Sequence, residues 1–259
     1  MSQLEDTGAH VQHHLPVPAI ARAFDILDLL VNSSEPCSLQ TIHTKLALPK
    51  TSVHSMLSTL QACGAVVKMP NGAYRPGIRL YTLGMSVRSQ LENTKYLLPC
   101  LERLRDKLGF TVFFSIYDDG DQVVWEKVEG RESVYFKAYS GQRKRLNTSS
   151  AGKAIAAYLP QDALEYALSK GMDSLTENSI TSREEFIEHL HETREKGYAI
   201  DDEEGERGIF CIGVPVFDPQ NHVFGAVSVS TLKSRIYTDK MDYYIAALKN
   251  TARELSRIL

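Results

Sequence analysis

Residues 50–60 read Lys-Thr-Ser-Val-His-Ser-Met-Leu-Ser-Thr-Leu, and this stretch is the strongest indication of the fold of the N-terminal part of the chain. Its apolar residues recur at helical spacing and form a single stripe: Val53, Met56, Leu57 and Leu60. The small polar residues fall on the opposite face of the predicted helix. A helix of this kind buries one face and presses the other into a DNA major groove, where hydroxyls and a lysine reach phosphates and base edges.

Two helices are predicted before this stretch. The first covers residues 18–31 behind an N-terminal proline, with apolar residues at helical spacing that include Ile20, Phe24, Leu27 and Leu30. The second begins after Ser38, a residue type that caps helix N-termini, and ends at the tight turn of residues 47–49.

A hairpin is predicted after the stretch. Gly64 ends the helix, and short strands at 66–69 and 73–75 flank an Asn71-Gly72 turn. Helix, helix, tight turn, helix and hairpin is the order of a winged helix-turn-helix.

The charge pattern agrees with DNA binding. Acidic residues outnumber basic ones, 32 to 29, yet residues 36–91 contain no aspartate or glutamate. This local excess of basic residues attracts a polyanion. We expect DNA contacts from Arg22, Ser38, Gln40, Lys50, Thr51, Ser52, His54, Ser55, Lys68 and Arg75.

Several classes of protein are disfavoured by the composition. No apolar stretch is long enough to span a bilayer and no signal-peptide pattern opens the chain, so we expect a cytoplasmic protein without membrane contact. The four cysteines are scattered without a CxxC pair, and the histidines of residues 1–16 lie in a polar leader without periodicity. We therefore expect no metal site and no cofactor.

The rest of the chain predicts an α+β domain with a mostly antiparallel sheet. Helices are expected at residues 96–108, 151–158, 161–169, 183–196 and 240–258. Strands are expected at residues 111–117, 122–128, 134–139, 198–201, 209–216 and 222–230.

Two short motifs of this domain suit a small ligand. Ser149, Ser150, Ala151 and Gly152 lead into a predicted helix, whose free N–H groups and positive dipole end favour a carboxylate or phosphate. A plain helix N-cap is the alternative for this motif. Two hydroxyls, Ser228 and Ser230, fall on one face of a predicted strand, and solvent exposure is the alternative there.

The chain resembles the IclR family of bacterial transcriptional regulators from about residue 17 to its end. The resemblance rests on stretches in the family's order, at residues 21–27, 38–54, 73–77, 146–153, 197–204, 215–218 and 225–230. It implies a flexible leader (1–16), a winged helix-turn-helix domain (17–77), a linker helix (78–94) and a GAF-like effector-binding domain (95–259).

The resemblance also implies partners and a ligand site. Family members bind a double-stranded operator as dimers or dimers of dimers, and we expect the same here, with repression or activation left open. In relatives that bind small oxo-acids, positions matching Asp201, Cys211, Ser228 and Ser230 line the effector pocket with the helix start at Ala151 and Gly152. These implications predict a small organic acid or sugar acid as effector. Ser55 stands where the family usually has arginine, which makes the operator preference of this chain its own.

Two other functions have partial signals in the sequence. Ser150 and Lys153 have the SxxK spacing of acyl-serine hydrolases, but the companion SDN and KTG motifs are absent, so we expect no enzyme. A ligand sensor whose basic segment contacts a protein or RNA is the second alternative. RNA readers stack bases on aromatic residues, and the basic segment offers only Tyr74 and Tyr81.

Overall fold

The structure, a computed structural model, describes residues 17–90, 94–131 and 136–258. The chain divides into two compact units between residues 91 and 92, inside the predicted linker 78–94. We call them the N-terminal unit and the C-terminal unit. The predicted leader, 1–16, lies outside the described residues.

The N-terminal unit is the expected winged helix-turn-helix. Its elements are α1 (Pro18–Val31), α2 (Leu39–Leu46), α3 (Lys50–Ala62), β1 (Val66–Lys68), β2 (Tyr74–Pro76) and α4 (Ile78–Gln90). The hydroxyl of Ser38 caps α2 by accepting the Thr41 N–H at 3.0 Å. The left-handed conformation of Ala47, with φ at 51°, then turns the chain toward α3. Residues from α1, α2, α3 and the hairpin share one core, which includes Ile26, Leu30, Ile42, Val53, Leu57 and Tyr74.

Two helices of this unit also expose large apolar side chains. Ile20 and Phe24 of α1 are 57% and 62% exposed, although they follow the same helical spacing as the buried Leu27 and Leu30. The exposed apolar residues of α4 are Ile78, Tyr81, Leu83, Met85 and Val87. The apolar pattern of α1 and α4 is therefore only partly used inside the unit.

The C-terminal unit is built on one six-stranded sheet in the order β5-β4-β3-β8-β7-β6, with every neighbouring pair antiparallel. Its strands are β3 (Thr111–Asp118), β4 (Asp121–Val128), β5 (Arg143–Lys144), β6 (Ala199–Asp202), β7 (Ile209–Phe217) and β8 (Val223–Leu232). Its helices are α5 (Thr94–Leu108), α6 (Ser150–Ala156), α7 (Gln161–Ser169), α8 (Arg183–Lys196) and α9 (Met241–Ile258). The predicted α+β class with an antiparallel sheet is confirmed.

Strand alternation gives the sheet two different faces. On one face, residues such as Val112, Ile212 and Val229 pack against α5 and α9 in the larger core. On the other face, α6 packs against β7 and β8, and polar residues such as Ser228 remain buried beside it. The functional residues predicted for this domain belong to the α6 face.

One predicted strand is wrong. Of residues 134–139, the first two lie outside the described part, and the described residues 136–139 form no strand. Phe136 instead packs on Phe113 and Val124. The apolar residue belongs to a side-chain cluster and not to a hydrogen-bonded strand. The chain turns at Gly141, where φ is +94°, and only then pairs with β4 as the short β5.

Candidate functional site

The first candidate site is the exposed side of α3. Pro49 precedes the helix and supplies no side-chain cap, so the first-turn N–H groups stay free of a cap at the positive end of the helix dipole. Lys50 and Thr51 are exposed there and Ser52 is half-buried. His54 and Ser55 are also exposed, whereas the apolar stripe faces the core. This end of α3 has the donors and the charge that a phosphate requires.

The other predicted DNA contacts are also at the surface of the N-terminal unit. Lys68 and Arg75 of the hairpin are exposed, and the Lys68 ammonium lies 5.7 Å from the centre of the Tyr74 ring. Arg22 and Gln40 are exposed as well. The remaining residue of the set, Ser38, is exposed while its hydroxyl caps α2.

Two contacts that the sequence did not indicate hold α3 in place. The Arg79 guanidinium, from α4, donates to the Cys63 carbonyl at the end of α3 over 2.8 Å. At its other end, a ring nitrogen of His43 lies 2.5 Å from the Leu48 carbonyl in the turn before α3. The helix is thus fixed at both ends by polar contacts.

The second candidate site is a cavity of about 440 Å³ on the α6 face of the sheet. It crosses the sheet from β5 to β6 and is bounded by the start of α6. Its lining includes these predicted effector residues: Ser149, Ser150, Ala151, Asp201, Cys211, Ser228 and Ser230. Gly152 does not line it.

Asp201 and Cys211 are neighbours on β6 and β7 and form one end of the cavity. Oδ1 of Asp201 accepts the N–H groups of Glu204 at 2.8 Å and Gly205 at 3.3 Å. Burial raises the pKa of the Asp201 carboxyl, although these N–H groups oppose the rise. Burial also raises the pKa of the Cys211 thiol well above its ordinary value, so the thiol is protonated at neutral pH. The Ser230 hydroxyl donates to this sulfur at 3.1 Å.

The start of α6 is held by a short chain of hydrogen bonds. The Ser149 hydroxyl accepts the Gly152 N–H at 2.9 Å and donates to Oε1 of Gln122. Nε2 of Gln122 in turn donates to Ser115 at 3.0 Å. A Cβ on Gly152 would overlap with the Leu146 carbonyl, so this glycine makes room for the chain itself.

Gly213 of β7 lies directly under the α6 start. A Cβ there would stand 2.5 Å from the Ser150 carbonyl oxygen and 2.8 Å from the Ala151 nitrogen. Its missing side chain therefore lets the helix end approach the sheet. No local pattern marks this role, because the contact joins residues far apart in the chain.

Lys153 does not form the pair that the SxxK spacing requires. Its ammonium binds both carboxylate oxygens of Glu204, and the two side chains are buried. The ion pair engages the lysine away from Ser150, which it would need to activate as a base.

The cavity also contains residues that were not predicted. Its aromatic wall is Phe113 and Phe136, and its polar lining includes Gln122, Lys144, Thr176 and Arg207. Only the three consecutive basic residues 143–145 were visible as a local signal.

Within the described ranges, no helix is both long and apolar enough to cross a membrane.

Comparisons with known proteins identify the family of the chain. The family model for the IclR helix-turn-helix domain matches residues 19–70, and that for the C-terminal domain of bacterial IclR transcriptional regulators matches residues 85–257. The chain is 32% identical over 246 residues to the HTH-type transcriptional regulator XynR of Escherichia coli strain K12, covering 94% of this chain and 97% of XynR.

Two more relatives extend this likeness. The DNA-binding transcriptional repressor YiaJ of the same strain is 31% identical over 246 residues, covering 93% of this chain and 87% of YiaJ. The crystal structure of an IclR transcriptional regulator from Alicyclobacillus acidocaldarius is 28% identical with a TM-score of 0.81, covering 93% of this chain and 98% of that one. These matches lend no support to a protein- or RNA-contacting sensor or to a serine hydrolase. The chain belongs to the IclR family of bacterial transcriptional regulators and binds DNA through its helix-turn-helix domain.

Proposed function

We propose that this regulator reads a near-palindromic operator as a homodimer or a dimer of dimers, and that a small organic or sugar acid in its cavity changes its affinity for DNA. The observation that carries the proposal is the enclosed polar end of the cavity at Asp201, Ser228 and Ser230. A carboxylate accepts hydrogen bonds and repels a second bare carboxylate, so this end favours the hydroxyl groups of a ligand.

The exposed apolar residues of α1 and α4 support self-association. Large apolar side chains exposed on a folded unit favour an interface, and the resemblance to a family whose linker helices pair gives a second copy of this chain as the partner. We propose that two copies pair their N-terminal units here, which would match the two-fold symmetry of an inverted-repeat operator. DNA contacts are then assigned to the α3 face, the hairpin, Arg22, Ser38 and Gln40 of each copy.

We further infer repression in the cytoplasm, without catalysis. The relative YiaJ is named a DNA-binding repressor. The Lys153 ammonium is bound to Glu204 outside the cavity lining, and the Cys211 thiol inside the cavity is protonated, so neither is poised to activate or act as a nucleophile. The ligand would change DNA affinity only because it binds the DNA-binding state and the non-binding state of the protein with different affinities. The coupling free energy between ligand binding and DNA binding would be roughly 1–3 kcal/mol.

DNA selection followed by salt titration tests the reading function. The full chain is expected to enrich one inverted repeat and to bind it with an affinity that falls as salt rises. Binding to single-stranded RNA or to no nucleic acid would contradict the proposal.

A thermal-shift screen tests the sensing function. Hydroxy-acids, oxo-acids and sugar acids are compared on the full chain, because a ligand at a hundredfold excess over its Kd adds about 2.7 kcal/mol of stability. A hit must also change operator affinity. Stabilisation without any effect on DNA binding would argue against an effector role.

A further inference from the structure

Residues 143–145 are Arg-Lys-Arg, and their three side chains have different surroundings. The Arg143 guanidinium donates to Asp118 at 2.6 Å, and that of Arg145 donates to Asp121 at 2.7 Å. Both arginines are therefore neutralised by acids at the β3–β4 turn. The basic run is not a uniform positive surface.

The side chain of Lys144, between the two arginines, faces the cavity. Successive strand residues face opposite ways, and Lys144 lines the cavity beside Gln122, its register partner on β4. Among the described residues, its ammonium makes no hydrogen bond and no ion pair. A half-buried ammonium without a counter-charge is unfavourable, and an anionic ligand would relieve this.

The other cations of the cavity already have acidic partners. The Lys137 ammonium lies 3.8 Å from Glu206 and is mostly exposed at the rim. The Arg207 guanidinium binds Glu177. Lys144 is thus the cation of the described lining that remains available to a ligand.

Lys144 and Asp201 stand on opposite edge strands of the sheet. Lys144 is on β5 and Asp201 is on β6, yet both line the same cavity. Burial raises the pKa of the Cys211 thiol, the register partner of Asp201, and the Lys144 ammonium is near enough to oppose that rise, so one ligand can reach both ends. One end is therefore cationic and the other is an acceptor-rich carboxylate. The helix start at Ser149 joins the cationic end, since its hydroxyl binds Gln122 beside Lys144.

We propose that Lys144 binds the carboxylate of the effector and so orients it, with the hydroxyl groups toward Asp201. The site then selects a hydroxylated monocarboxylic acid over the corresponding polyol, which lacks the charge, and over a dicarboxylate, whose second carboxylate would meet Asp201. This inference rests on the proposed sensing function and adds the residue that sets charge specificity.

The experiment compares matched ligands on matched variants. Calorimetry and thermal shift are run on the full chain with lactate, glycerate, threonate, ribonate and gluconate, and with the polyol and the amide of each. Lys144→Met is compared with Lys137→Met, which removes an equal charge at the rim. We expect the wild type to prefer an acid over its amide by about tenfold or more, as for a hydrogen bond to a charged group.

In Lys144→Met this acid-over-amide preference is expected to disappear, while Lys137→Met keeps it. Lys144→Gln, which keeps a polar donor on a side chain one atom shorter, separates the charge from the hydrogen bond by losing the preference without losing stability. Retention of the preference in both Lys144 variants overturns the inference but leaves the sensing function intact. If no acid on the panel binds the wild type, the proposed acid effector and this inference both fail.

Discussion

Helix α3 and the cavity of the C-terminal unit differ in how their residues are brought together. The α3 face is one contiguous stretch of exposed polar groups, whereas the cavity is assembled from strands and a helix start that are distant in sequence. Exposed charges act through water and salt, so each contributes little by itself. Buried charges act at lower dielectric, so each change should have a large effect. The contrast predicts severe and local defects in the cavity but graded and additive ones on α3.

The largest effect is expected from Gly213→Val. A side chain at this position would collide with Ser150 and Ala151, and overpacking of this kind costs about 1–3 kcal/mol or more. Trp125 is the sole tryptophan and packs against the core of the C-terminal unit, so its fluorescence reports unfolding of that unit in urea. The midpoint should fall.

Gly84→Ala is the matched control for that substitution. No atom lies within 4 Å of the added Cβ, and alanine in a helix is favoured over glycine by roughly 0.5–1 kcal/mol. Because Gly84 lies in the N-terminal unit and Trp125 in the C-terminal unit, the Trp125 midpoint should stay unchanged in this variant. An unchanged midpoint in Gly213→Val would mean that the α6 start does not depend on its approach to β7.

Asp201→Asn should weaken ligand binding without disturbing the fold or DNA binding. Asparagine keeps an oxygen for the Glu204 and Gly205 N–H groups but removes the charge that would accept a ligand hydroxyl, a loss of about 1.5–3 kcal/mol. Effector affinity should fall by at least about tenfold, while operator affinity without ligand stays within a few-fold. Titration calorimetry and gel-shift assays measure the two quantities. Wild-type ligand affinity would remove Asp201 from the site.

The same variant predicts a pH dependence of stability. Because burial raises the folded-state pKa of Asp201, the native state holds a proton that the unfolded chain has already lost at pH values between the ordinary aspartate pKa and the raised one. Wild-type stability therefore falls as pH rises from the ordinary aspartate range through the raised pKa. The neutral side chain of Asp201→Asn does not lose stability in this way. The difference between its Trp125 midpoint and that of the wild type should therefore grow as pH rises through this interval and vanish at lower pH. A difference that is constant with pH would contradict the raised pKa.

The same contrast explains what could be predicted from the sequence. Helix α8 was predictable at both ends, because Ser182 caps it and Gly197 closes it with local chemistry. The short strand β5 could not be predicted, because two residues are too few to show an alternating pattern. The strand is defined by its pairing with β4, for example with Gln122. For the same reason the predicted list of cavity residues omitted Lys144. The apolar spacing of α1 could not show that Phe24 would be exposed, because a core and an oligomer interface have the same period.

On the α3 face, Lys50→Ala should weaken binding to all sequences. The lysine is exposed at the uncapped helix start, where we propose that it contacts a phosphate and no base. The slope of log affinity against log salt should fall in magnitude by about 0.9, the value for one phosphate contact. Lys249→Ala, in the C-terminal unit, is the charge-matched control. If affinity and slope both stay unchanged, α3 has been assigned the wrong role.

The smallest effect is expected from Ser55→Arg, which installs the cation that the family usually has at this position. Ser55 is exposed on α3 and no described hydrogen bond uses its hydroxyl, so the substitution costs no internal contact. A new phosphate contact would raise the salt slope, but ordering a long side chain offsets part of the gain, which leaves about 0.2–1 kcal/mol at moderate salt. Competition gel shifts with the selected operator and with random duplex DNA measure it. Equal tightening on both DNAs identifies a backbone contact, whereas a loss confined to the operator would show that Ser55 itself reads a base.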